Sequence, residues 1–145
     1  MISDIYKLSS VYVITSMTIV MYAHARCNGA PDVLNFSLKT QNLDGWTLSH
    51  LILNIVMGYF FPSFNCFVVA MILGTLWELI EYYSTIANHM SLPLASLMDI
   101  LFPLGTTQCK HYTKPHKDWT IYKLSDPFVN ALGYGIGAAI AHQFR

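Results

Sequence analysis

The 145 residues leave room for one compact domain, and 54% of them are apolar against 11% charged, with a mean hydropathy of +0.42. A soluble domain carries about 25% charged residues, so a chain this poor in polar surface is expected in a lipid bilayer rather than in water. Equal numbers of basic and acidic residues, eight of each, exclude the concentrated basic face that nucleic-acid binding requires.

The N-terminal residues 1–7 are not basic, and the apolar run after them has spanning length without a cleavage site, so it reads as an uncleaved first span. That span covers residues 8–25, close to the lower limit of about 17 residues for crossing a bilayer. Lys7 and Arg26 bracket it and are expected to snorkel to the interface. Residues 26–45 are polar, with Gly29, Pro31, Asn35, Asn42 and Gly45, a turn-forming composition. They include a glycosylation sequon, Asn35-Phe36-Ser37. Cys27, Cys66 and Cys109 lie far apart without CxxC spacing, and their odd number excludes a complete intramolecular disulfide framework.

Residues 46–86 are too long for one crossing at about 1.5 Å per residue. Pro62-Ser63 is the available break, so spans 46–62 and 64–86 are expected to form a tight hairpin. Trp46 at one end and Tyr82 and Tyr83 at the other suit the headgroup level. In the long connector that follows, residues 92–104 are apolar but broken by Pro93, Asp99 and Pro103. They are too short to span, which predicts an interfacial or re-entrant helix. The rest of that connector is basic, with Lys110, Lys114, Lys117 and Lys123. The last span, 127–144, carries Gly133-xxx-Gly137, a spacing that lets a neighbouring helix approach closely. The expected fold is all-α: an integral membrane four-helix bundle forming a single transmembrane domain over residues 1–145.

Four spans place both termini and the Pro62 turn on one side and the two long connectors on the other. The connector side holds Arg26, Lys39 and the four lysines of the last loop, against Lys7 and Arg145 opposite. The positive-inside rule then puts the connectors in the cytoplasm and the termini outside. Use of the Asn35 sequon would reverse this orientation.

The strongest polar residues of the spans converge on one leaflet in this topology. His50 lies about 6 Å and Asn54 about 12 Å below Trp46, while Glu81 and Glu78 lie roughly 8 and 12 Å below the end of the third span. Asp126 stands at the mouth of the fourth span with Asn130 one turn deeper, and His24 closes the first. His50 and Asn54, Glu78 and Glu81, and Asp126 and Asn130 each share a helix face. Glu78 and Glu81 are the only two glutamates in the chain. A charge at mid-membrane costs about 2.5–3.5 kcal/mol on insertion scales, which marks intramembrane ionisable groups as functional candidates. Two neighbouring carboxylates repel, a conflict that a metal, a shared proton or a charged His50 would resolve. Plainer roles compete with this: Asp126 before Pro127 fits an N-cap, Glu81 beside the tyrosines fits a solvated interface, and His50 fits an interfacial histidine.

Ser49-His50, Gly74-xx-Trp77-Glu78-xx-Glu81-Tyr82 and Ser125-Asp126-xxx-Asn130-xx-Gly133-xxx-Gly137 together resemble small VanZ-like membrane proteins, from about Trp46 to the C-terminus. The resemblance implies a glutamate-bearing helix followed by a final helix of D-xxx-N-xx-G type, and a link to glycopeptide (teicoplanin) resistance. In this chain Lys123 stands three positions before the final aspartate, and the last connector is long.

Three functions follow from these residues. In the first, His50, Glu78, Glu81, Asp126 and Asn130 form a pocket that binds a cation or a lipid or lipid-linked headgroup. His50, Glu78, Glu81 and Asp126 are the candidate ligands of a divalent metal. If chemistry occurs there, a carboxylate is the general base, a histidine the proton shuttle, and these five residues are the catalytic candidates. In the second, a non-catalytic structural or assembly protein, the polar groups only fix helix register. The third is a proton or ion pathway through Glu78 and Glu81, for which the opposite leaflet offers only hydroxyls, Asn65, Tyr59 and Thr75. The chain lacks G-x-S-x-G, H-E-x-x-H and P-loop motifs.

Overall fold

A computed structural model describes residues 2–31, 33–34, 45–90, 96–97, 100 and 126–144, with backbone alone at 84–90. Four helices account for nearly all of these residues: α1 (Ile2–Cys27), α2 (Gly45–Phe60), α3 (Phe64–Met90) and α4 (Asp126–Phe144). There is no strand among the described residues. The all-helical expectation holds. The segment at 92–104 lies almost wholly outside the described residues.

Local chemistry explains where these helices stop. At the end of α1, the amide of Ala30 donates to the Ala25 carbonyl at 3.0 Å and that of Gly29 to Arg26 at 2.9 Å. This pair of bonds is a Schellman motif. It requires a left-handed residue, supplied by Gly29 at φ 97°, and Pro31 then prevents further helix. Between α2 and α3 the break is three residues long. Ser63 caps α3: its Oγ accepts from the Cys66 amide at 3.3 Å and its carbonyl from the Phe67 amide at 3.0 Å.

The helices outrun their apolar runs. α1 begins at Ile2 instead of near residue 8, and α3 continues to Met90 instead of stopping near 86. Helix propensity does not fall at a lysine or an asparagine as sharply as hydropathy does. Two helices have the length and composition to cross a membrane, Ile2–Cys27 and the Phe64–Tyr83 part of α3. Only 11% and 22% of their apolar stretches are buried, unlike the core helix of a water-soluble protein. The other two expected spans have less reach. At 16 residues α2 is about 24 Å long, against a hydrocarbon core of about 30 Å. α4 interrupts its apolar residues with Asp126, Asn130, His142 and Gln143.

The chain divides into two compact units. The first comprises Met1–Tyr12, Val33–Thr75 and Lys123–Arg145, the second Val13–Asp32 and Leu76–Tyr122. The core of the first unit is Leu8, Met57, Cys66, Ala70 and Tyr134, with Phe61 and Phe67 against it. Phe67 meets Tyr134 edge-on at 5.4 Å, and the Tyr134 hydroxyl donates to the Phe61 carbonyl. A buried phenol thereby keeps its polar end satisfied.

Within this unit α2 and α4 pack backbone to backbone. A Cβ on Gly133 would stand 2.7 Å from the Leu51 carbonyl oxygen, and one on Gly137 would run into the Ile55 carbonyl and the Tyr59 amide. Gly58 of α2 answers with the same closeness to the Tyr134 carbonyl. The Gly133-xxx-Gly137 spacing is therefore the seam its sequence predicts.

Candidate functional site

In the first unit, Tyr12 of α1, His50 and Asn54 of α2 and Asn130 of α4 form one hydrogen-bond network. Asn54 Nδ2 donates to the His50 carbonyl at 2.9 Å and to Asn130 Oδ1 at 2.8 Å, and Asn54 Oδ1 accepts from the Tyr12 hydroxyl at 3.3 Å. His50 Nδ1 stands 3.1 Å from the same Asn130 Oδ1. Asn54 and Asn130 are both buried, at 2% and 3% exposure, so these bonds replace water.

One backbone oxygen orients the network. The His50 carbonyl accepts only, so the Asn54 group facing it is the amide nitrogen. That nitrogen also faces Asn130, which must present its oxygen in return. An oxygen facing His50 Nδ1 requires that nitrogen to carry the proton, and in the neutral ring Nε2 is then the basic nitrogen. Fixing a histidine tautomer through the opposite ring nitrogen is how proteins prepare imidazole to bind metal or accept a proton.

Asn130 therefore turns its Nδ2 away from His50 and Asn54. The neighbour on that side is buried Gly74 of α3. A methyl there would meet two atoms within 4 Å, Asn130 Nδ2 at 3.2 Å and the Tyr12 hydroxyl at 3.9 Å, both polar.

Asp126, at the first turn of α4 and 7% exposed, belongs to the same unit. One of its carboxylate oxygens and a ring nitrogen of His50 lie within 4.8 Å of each other, a separation that a shared cation spans. His50, Asn130 and Asp126 are thus brought together as their i,i+4 stripes predict.

The second unit holds the two glutamates. Glu78 is buried, at 1% exposure. Glu81 is half-buried and accepts from the Trp77 indole at 2.7 Å, a bond within its own helix. That gives Glu81 a local partner that its sequence context of two tyrosines did not indicate. Arg26 departs from expectation: it does not reach an interface but is 1% exposed, with its guanidinium 5.9 Å from the Tyr22 ring centroid. Tyr22 lies one turn earlier on the same face, so the cation sits on an aromatic surface supplied by its own helix. His24, which closes the first expected span, has its Nε2 2.7 Å from the Ile100 carbonyl oxygen.

Tyr12 escaped the sequence reading because an aromatic in an apolar span carries no signal of its own. Its hydroxyl matters only through Asn54. No family model, no curated protein and no solved structure matches the chain.

Proposed function

We propose that this chain is a multi-pass membrane protein of four spans, VanZ-like in its last three, whose polar pocket binds a divalent cation and presents it to a lipid or lipid-linked headgroup. His50, through Nε2, and Asp126 are the ligands within the first unit. Glu78 is the third candidate by its sequence alone, a carboxylate inside an apolar helix. Two carboxylates and a neutral imidazole make a hard, oxygen-rich set that neutralises a divalent ion. The observation that carries this reading is the oriented contact of His50 with Asn130, because it commits Nε2 to the role of base or ligand.

Short α2 and α4 fit a bilayer by local thinning and by packing against longer neighbours. The lysines of the last connector favour a cytoplasmic position for both connectors. One observation favours the opposite orientation: Cys27, at the start of the first connector, is disulfide-bonded, and disulfides persist in oxidising compartments.

The test is a titration of purified protein in nanodiscs with Mn2+ and Mg2+, read by thermal unfolding. Wild type should gain stability with rising cation concentration, as any ligand of the folded state provides. His50→Ala, Asp126→Asn and Glu78→Gln should each lose most of that gain. Equal behaviour of wild type and all three variants would leave the polar groups with a packing role only.

A further inference from the structure

We infer that Tyr12, on the first helix, is a positioning residue that fixes which nitrogen of His50 carries the proton. It belongs to the first unit with Asn54, Asn130 and His50, and it reaches the imidazole through the two amides. The relay runs in one direction. The Tyr12 hydroxyl donates to Asn54 Oδ1, Asn54 Nδ2 donates to Asn130 Oδ1, and that oxygen faces His50 Nδ1. Each amide has two settings, because a half turn exchanges its oxygen and its nitrogen. Turning Asn54 forces Asn130 to turn with it, since the two amides must meet nitrogen to oxygen. Asn130 would then show Nδ2 to the ring, Nδ1 would have to accept, and the proton would move to Nε2. The polarity of the amides and the tautomer of His50 are thus one variable.

Two contacts hold the setting. The His50 carbonyl faces Asn54 Nδ2 at 2.9 Å and would face an oxygen there if the amide turned. As a helix carbonyl four residues earlier it is already the acceptor of the Asn54 backbone amide. It therefore penalises the wrong setting without needing the right one. Tyr12 rewards the right one, by giving Asn54 Oδ1 a donor. Asn54 is 2% exposed, so water does not take that donor's place, and an oxygen without it loses its advantage over a nitrogen. Phenylalanine would fill the same space and leave the amide pair free to reverse. The hydroxyl of Tyr12 thus acts three hydrogen bonds away, keeping Nδ1 protonated and leaving Nε2 as the position where a proton or a ligand is exchanged.

The inference concerns the imidazole of the cation reading but needs no cation, so the tautomer is read without metal. Histidine-labelled protein in nanodiscs is measured by 15N NMR at a pH where the ring is neutral. Protonated and bare ring nitrogens resonate far apart, 13C–15N correlations assign each nitrogen, and His50→Gln identifies the His50 signals. Wild type should be Nδ1–H, the reverse of the Nε2–H form that free histidine favours. Tyr12→Phe should lower the ratio of Nδ1–H to Nε2–H about three- to tenfold, the worth of one neutral hydrogen bond. Tyr134→Phe, which deletes another tyrosine hydroxyl of the same unit with a different acceptor, should leave the ratio unchanged. Asn54→Leu cuts the relay at its middle and decides the matter if Tyr12→Phe does not fold: it should move the ratio at least as far. Wild type at Nδ1–H with an unchanged ratio in Tyr12→Phe or Asn54→Leu, or with equal shifts in the two tyrosine variants, overturns the role of Tyr12 and leaves the cation reading standing. Wild type at Nε2–H overturns the inference and removes the orientation on which the cation reading rests.

Discussion

Replacing Gly137 by alanine places a methyl among three backbone atoms of α2, the Ile55 carbonyl oxygen and carbon and the Tyr59 amide nitrogen. None of these can rotate away as a side-chain tip would, so the helices must separate. Overpacking of this kind costs about 1–3 kcal/mol. Alanine also gains about 1 kcal/mol of helix propensity over glycine, which obscures the packing term in a single measurement. Gly135 removes that difficulty: it lies in the same helix, and a Cβ there meets nothing within 4 Å. Both variants receive the same propensity gain, so their difference isolates the seam. Gly137→Ala should therefore be less stable than Gly135→Ala by about 1–3 kcal/mol, read from denaturant unfolding in one detergent. Two variants of equal stability would refute the backbone-to-backbone packing of α2 and α4.

Tyr134→Phe removes the only described donor to the Phe61 carbonyl from a side chain, and by the same assay it should cost about 0.5–1.5 kcal/mol, more if that oxygen stays dry. Ser63→Ala deletes the cap of α3 and should cost about 0.5–2 kcal/mol, with Ser63→Asp restoring most of it. Translation into microsomes reads the orientation: cytoplasmic connectors leave Asn35 unmodified, whereas a glycan at Asn35, removed by Asn35→Gln, would place them in the lumen with the Cys27 disulfide.

Much of the helical plan is legible in the chain because punctuation is chemical. Pro62-Ser63 reads as a break, and Ser63 then supplies the cap. Gly29 and Pro31 read as a loop, and the left-handed glycine is what closes α1. The pairs His50/Asn54 and Asp126/Asn130 can be placed on helix faces by counting, and those two stripes do meet. What counting does not give is the direction of a hydrogen bond. That Asn130 offers oxygen to His50 and nitrogen to Gly74 depends on the His50 carbonyl, a backbone atom with no sequence signature. Arg26 misleads for a related reason: a cation ending an apolar run ordinarily reaches water, and only the position of Tyr22 one turn earlier shows another course. Gly58 lacks a second small residue at the spacing that flags a seam, so its contact with Tyr134 emerges only once α4 is in place.

The central claim is that His50 Nε2 binds a divalent cation. Electron spin-echo envelope modulation of Mn2+ bound to the protein in nanodiscs detects a directly coordinated imidazole nitrogen through its hyperfine coupling. The account predicts the coupling of one histidine, lost in His50→Gln and retained in His24→Gln and His142→Gln. Bound Mn2+ without any nitrogen coupling, or a coupling that survives His50→Gln, would contradict it.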